Sequence, residues 1–208
     1  IPILNVTLEK YANARVICDD VMRTNLSALV AETFGADCPS LRVAANLPYY
    51  ITTDVLTKLM RELPQAKSIA VMIQKEVGDK LLSGPGDDGY GPLAVMCQYR
   101  YHAMRALDVP AACFNPPPKV DSSFMVLEKL EQPSVNAGDE EIFTRLVRSA
   151  FAMRRKTLLN NLVSGFSLNR EQAAACLAAA NLSAQARAEE LSLEDFAGLA
   201  IQLQNTIR

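Results

Sequence analysis

A chain of 208 residues that is 50% hydrophobic and 21% charged can bury one substantial core, with room for a small second domain, and is too apolar to stay disordered. A formal charge of -2 and a pI of about 5.5 exclude a protein that coats nucleic acid through its whole surface, so any RNA contact must come from a local patch. No run approaches the roughly 20 apolar residues of a membrane span, and Ile1-Pro2-Ile3-Leu4 has no basic segment leading into an apolar one, so a soluble protein is expected.

In chain order, the apolar, β-rich run 14–18 (ARVIC) reads as a strand and 25–34 as a helix. A strand follows at 41–45, then a helix at 54–62 with Thr52, Thr53 or Asp54 available as N-cap and Val55, Leu56, Leu59 and Met60 on one face. Strand 68–73, helices 75–82 and 93–99, and strands 101–109 and 123–128 complete the alternation. Together they predict an α/β domain with a largely parallel sheet over residues 1–131. Residues 132–138, with Pro133, Asn136 and Gly138, read as a linker. After it strand signals vanish, and helical segments at 140–163, 170–180 and 192–207 predict a small all-helical domain over 139–208.

Cys18, Cys38, Cys97, Cys113 and Cys176 are odd in number, scattered and never in a C-x-x-C pair, so neither a zinc site nor a disulfide framework is expected. Buried thiols in a reducing cytosol fit better, and no metal is called for. The single histidine, His102, lies in an apolar run where a structural role outweighs a catalytic one.

Chemistry is expected at Asn46-Leu47-Pro48-Tyr49, which follows the strand 41–45 and precedes a helix. The carboxyl end of a strand is where open α/β sheets bind ligands. The residue types suit an exocyclic amine such as adenine N6, whose lone pair is delocalised into the ring. If the Asn46 carboxamide oxygen and the Leu47 carbonyl each accept one N6 hydrogen, the amine is held toward sp³ geometry with its lone pair aimed at an incoming methyl group. Pro48 stiffens the turn, and Tyr49 offers a flat face for an unstacked base. Taken alone, the tetrapeptide is equally a strand-to-helix turn that happens to contain a proline.

Two further features need their context. Gly84-Pro-Gly86-Asp-Asp-Gly89 satisfies G-x-G-x-x-G literally, but it follows a helix rather than a strand and is read as a surface loop near the active-site mouth. Arg154, Arg155 and Lys156 lie on a predicted helix, within the acid-free stretch 142–169 that also holds Arg145 and Arg148. Both a solvated helix face and phosphate contact fit them.

The blocks Asn46-Leu-Pro-Tyr-Tyr-Ile-Thr-Thr53, Ile73-Gln-Lys-Glu-Val77, Gly84-Pro-Gly86 with Tyr90-Gly91, Val109-Pro110, Phe114-Asn-Pro-Pro-Pro-Lys-Val-Asp-Ser122 and Phe151-Ala-Met-Arg-Arg-Lys-Thr-Leu158 occur in this order. Through them nearly the whole chain resembles the ribosomal RNA adenine dimethyltransferases, the dimethyladenosine transferase family. The resemblance implies a Rossmann-like methyltransferase domain with a helical C-terminal domain, and S-adenosylmethionine as methyl donor without a metal. As substrate it implies two adjacent adenosines near the 3′ end of 16S ribosomal RNA, within the immature small subunit of the cytoplasm. It makes Asn46, Leu47, Pro48, Tyr49 and Phe114 the catalytic set, with Phe114 as a second aromatic wall, although a core Phe before a proline turn is the competing reading. It also assigns cofactor contacts to Asn46 and to Asp20, for which Asp19 competes and a helix cap is the ordinary alternative. A macrolide-resistance methylase of large-subunit RNA and a noncatalytic small-subunit assembly factor are the alternatives.

The resemblance also has gaps. Family members carry, ahead of the region that begins at Ile1, a first strand, a glycine-rich loop and a second strand ending in an acidic residue for the ribose, and many have Asn where this chain has Tyr50. The sequence is therefore expected to be a piece of a longer polypeptide that binds S-adenosylmethionine weakly or not at all by itself.

Overall fold

The structure is a computed structural model that describes residues 2–35 and 38–207, so Ile1 and Arg208, the outer ends of the two expected domains, and Ala36 and Asp37 lie outside the described residues. The backbone falls into two compact units, Ile1–Pro39 with Asp54–Gln65, and Ser40–Thr53 with Ala66–Arg208.

In the first unit, helix α1 (Pro2–Leu8) has no buried residue. Residues 14–18 do not form the expected strand. Val16 and Ile17 favour extended backbone, but a strand also needs a neighbour for its N–H and C=O groups, and this segment has no place in the sheet. Helix α2 (Leu26–Phe34) is capped by Asn25, whose side chain accepts the Ala28 N–H at 2.9 Å. Helix α3 (Thr52–Glu62) begins in the second unit, continues in the first, and buries Val55, Leu56 and Leu59. Its last residue, Glu62, accepts the Leu26 N–H through its carboxylate and the Ser27 hydroxyl through its carbonyl, which ties the start of α2 to the end of α3. Lys58 and Arg61, at 2.7 and 2.9 Å, hold the Glu62 carboxyl at about 2.

The second unit contains the sheet, with strands β1 (Arg42–Asn46), β2 (Ser68–Gln74), β3 (Tyr101–Val109) and β4 (Ser122–Lys129) in the order β1-β2-β4-β3. Only β1 and β2 run parallel, and β4 is antiparallel to both β2 and β3. The expectation of a largely parallel sheet is corrected on this point. Between β3 and β4 there is a loop and no crossover helix, so the chain must reverse direction. On β2 the fully buried Ile69, Val71 and Ile73 alternate with half-buried neighbours, the one-sided pattern of antiparallel pairing. Helix α4 (Lys75–Leu82) follows β2 directly and lies close to β4 at Gly78, where a Cβ would meet Met125 Sδ at 3.2 Å and Ser123 Cβ at 3.3 Å.

Helices α5 (Pro92–Arg100), α6 (Glu140–Ala150), α7 (Leu158–Phe166), α8 (Arg170–Ala179) and α9 (Leu193–Ile207) complete the unit. Phe143, Leu146, Leu158, Leu162, Leu177 and Phe196 form one buried cluster with Tyr90 and with Val95 and Tyr99 of α5. Burial pushes the phenols of Tyr90 and Tyr101 up to about 12, with the charges of Asp195 and Glu194 adding to the effect at Tyr90. The single helix expected over 140–163 is broken, because residues 151–156 form turns. The buried Asn161 explains the break: its Nδ2 donates to the Ala150 carbonyl at 2.6 Å and to the Met153 carbonyl at 3.4 Å, satisfying acceptors that the end of α6 leaves open.

Single residues also differ from expectation. Cys97 and Cys176 are buried and Cys38 is half-buried, but Cys18 and Cys113 are exposed because neither lies on an element that packs. Burial pushes the Cys97 thiol up to about 12. His102 lies exposed on β3 opposite Glu128. Among the described residues no helix is long and apolar enough to cross a membrane.

Candidate active site

The parallel pair β1–β2 builds one edge of the site. Asn46 ends β1 opposite Met72, and the Leu47 N–H adds one more rung by donating to the Met72 carbonyl at 3.1 Å. Leu47 is buried, which anchors the turn, while Asn46 and Pro48 on either side are exposed. Pro48, at φ -62° and ψ 133°, directs the chain into a 3-10 turn at Tyr49–Ile51, and its carbonyl accepts the Thr52 hydroxyl at 3.0 Å. The result is an exposed carboxamide at the carboxyl end of a strand, on a backbone pinned from both sides. Tyr49 is half-buried and its phenol shares a 2.6 Å hydrogen bond with Ser122 Oγ, whereas Tyr50 is 86% exposed.

The second edge is the loop between β3 and β4. Pro110 starts a 3-10 turn at Ala111–Cys113, and Phe114 follows it, half-buried, with its N–H donating to the Ala111 carbonyl at 3.1 Å. The Asn115–Pro116 peptide is cis. Asp121 accepts the Ala111 N–H on its carboxylate at 2.9 Å and the Lys75 N–H on its carbonyl at 3.0 Å. Residues 121 and 122 thus tie together the Asn46–Tyr49 turn, the Phe114 loop and the start of α4. Beside them opens a cavity of about 400 Å³ lined by Gln74, Lys75, Glu76, Lys119 and Asp121. The sequence marked Asp121 and Ser122 only as the end of a block and gave them no role. Their signal was an Asp-Ser pair at the mouth of a strand, which side-chain periodicity does not single out.

Asp20 belongs to the first unit. Its carboxylate accepts the Met22 N–H at 2.8 Å and lies 3.6 Å from Arg23. Asp19 is more fully engaged, accepting the Thr24 hydroxyl and the Asp20 N–H, bonds that with Arg23 lower its carboxyl below the usual range. Both acids therefore stabilise a turn, and Asp20 keeps acceptor capacity for an exocyclic amine, which suits the adenine end of a nucleoside cofactor.

Arg154, Arg155 and Lys156 are exposed in the 151–156 turns rather than on the expected helix, and none makes an ion pair among the described residues. Arg145 is committed elsewhere: it donates to the Gly165 carbonyl at 2.7 Å and lies 4.6 Å from the Phe166 ring centre. The loop 84–89 follows α4, as expected, and its Gly86 N–H donates to the Glu189 carbonyl at 2.8 Å. Among the described residues no three His, Cys, Asp or Glu side chains gather as a metal site.

Residues 1–205 match the family described as Ribosomal RNA adenine dimethylase. The chain belongs to that family. It is 41% identical over 211 residues to a Ribosomal RNA small subunit methyltransferase A of Geobacillus thermodenitrificans, covering 100% of this chain and 72% of the relative. A protein of the same name from Alkaliphilus oremlandii is 41% identical over 204 residues, covering 98% of this chain and 70% of its own length. The crystal structure of a dimethyladenosine transferase from Plasmodium falciparum superposes with a TM-score of 0.74 at 24% identity, covering 98% of this chain and 77% of that one. The sheet and its helices accordingly have the Rossmann-like methyltransferase fold, with a helical C-terminal region, of the ribosomal RNA adenine dimethylases.

Proposed function

We propose that the protein transfers methyl groups from S-adenosylmethionine to N6 of two adjacent adenosines near the 3′ end of 16S ribosomal RNA, within the immature small subunit of the cytoplasm. The observation that carries this reading is the exposed Asn46 carboxamide at the carboxyl end of β1, followed directly by the ladder rung at Leu47 and the half-buried aromatic ring of Tyr49. When bound, S-adenosylmethionine supplies a methyl group made electrophilic by its sulfonium. Asn46 would contact it at the carboxyl end of β1, and the resemblance assigns its adenine amine to Asp20, through carboxylate lone pairs that the Met22 N–H and Arg23 leave open.

The rest is done by the chain's own residues. In the first transfer Asn46 Oδ1 and the Leu47 carbonyl each accept one N6 hydrogen, so the nitrogen lone pair is freed from the ring and points along the line of attack. The N–C bond forms as the carbon–sulfonium bond breaks, the sulfur leaves as a neutral thioether and the excess N6 proton passes to water. In the second transfer the one remaining hydrogen is held by one of the two acceptors. Pro48 fixes the turn that holds the Leu47 carbonyl in place. Tyr49 and Phe114 take the two faces of the extruded adenine, replacing the stacking it loses on leaving the RNA. Residues 1–131 form the catalytic domain, 132–138 the linker and 139–208 a domain that contacts RNA, where Arg154, Arg155 and Lys156 meet phosphates.

Immature small subunits and naked large-subunit RNA, each incubated with labelled S-adenosylmethionine and the whole polypeptide that the gene for this chain encodes, test the reading. Label is expected on the small subunit. Label confined to large-subunit RNA would make the protein a macrolide-resistance methylase, and tight subunit binding with no label would make it an assembly factor.

A further inference from the structure

We propose that Ser122 is a positioning residue for the transfer: with Asp121 beside it, it fixes the Tyr49 ring and the Phe114 loop before the target base arrives. The proposal rests on the reading of the Asn46–Tyr49 turn as the transfer site. Tyr49 lies beyond the end of β1, in a 3-10 turn, where no ladder restrains its side chain. A ring that must receive a base in one orientation needs an anchor. Its phenol finds one at 2.6 Å, on a serine that is fully buried.

Ser122 is well placed for the task. It is the first residue of β4, in register with Gln74 on β2 and with Val109 on β3, so its backbone is held from both sides. The neighbouring Asp121 holds the other aromatic segment through the Ala111 N–H at 2.9 Å, and Ala111 in turn accepts the Phe114 N–H at 3.1 Å. Hydrogen bonds therefore run from Phe114 through Ala111 to Asp121, and from Tyr49 to Ser122, and the backbone between Asp121 and Ser122 joins the two. Preorganisation of this kind speeds reaction without adding a contact to the substrate, since the base meets walls that no longer have to be ordered. If Tyr49 served only as packing, a phenylalanine would do as well.

The test compares wild type with Tyr49→Phe, Ser122→Ala and the double variant on immature small subunits. It uses single-turnover transfer, KM for the subunit, and the fluorescence of an RNA fragment carrying 2-aminopurine at the target position. Each single variant is expected to lower kcat about tenfold with KM nearly unchanged. Each should also weaken the fluorescence change that reports stacking of the flipped base. The double variant should be no slower than either single one, because all three lack the same bond. Tyr49→Phe keeps the ring and its packing, so the proposal stays testable even if Ser122→Ala fails to fold. A Tyr49→Phe protein with wild-type turnover and fluorescence overturns it, and so do losses that add in the double variant or fall on KM alone. A wild-type protein that transfers nothing to small subunits overturns the underlying reading, a failure visible without any variant.

Discussion

In the proposed mechanism Asn46 has its largest effect as the N6 nitrogen pyramidalises, because only then would both amine hydrogens of the first transfer point at fixed acceptors. Replacing it with alanine is therefore expected to slow single-turnover transfer about 100-fold while leaving affinity for the small subunit close to wild type. An unchanged rate would remove the role assigned to it. The buried phenols make a second statement at this scale. Burial raises Tyr90 and Tyr101 from a reference of 10.0 to about 12, so their protonated forms are favoured in the folded protein. The sign follows: their contribution to stability is complete below pH about 10 and is lost as pH rises through about 12. Ultraviolet titration should show the Tyr90 and Tyr101 phenols ionising only together with alkaline unfolding. If Tyr90 and Tyr101 titrate near the reference value in a folded protein, the burial argument is wrong.

Among the elements, the helices around the 151–156 turns are the most informative. Gly165 of α7 faces Ser149 of α6, and a Cβ there would lie 2.4 Å from the Ser149 Cβ. Gly165→Ala should lower stability by about 1–3 kcal/mol, read as a lower urea midpoint, whereas an unshifted midpoint would mean that the two helices are not so closely packed. The exposed turn gives a different prediction. Neutralising Arg154, Arg155 and Lys156 together should weaken small-subunit binding and flatten its salt dependence, because fewer counterions are released. A salt slope equal to wild type would leave them as solvated charges. Much of this scale was legible in the sequence: α4 and β3 lie where the pattern put them, because a change of period or a Gly-Pro pair marks their ends. What failed depended on distant partners. Residues 14–18 have strand-forming side chains but no neighbouring strand, and the break after α6 is held by Asn161, eleven residues from the Ala150 carbonyl it binds. The Tyr49–Ser122 bond spans 73 positions, and no local pattern announces such a pair.

For the whole molecule, two loops far apart in sequence meet at one end of a sheet, and residues 121–122 join them. The motif blocks were legible because each combines a turn with residues of restricted conformation, Pro48 in one loop and Pro116 to Pro118 in the other. The antiparallel β3–β4 pair that brings the loops together was not, since a strand's direction depends on its connection rather than on its composition. The central claim is that this arrangement dimethylates adenine N6 in small-subunit RNA. The most direct measurement is mass spectrometry of nucleosides from the 3′ fragment of 16S ribosomal RNA, after immature small subunits react with the protein and S-adenosylmethionine. The account predicts N6,N6-dimethyladenosine at two adjacent positions, absent when Asn46 is replaced by alanine. Methyl groups on a different atom or base, or dimethyladenosine undiminished in the Asn46→Ala reaction, would contradict it.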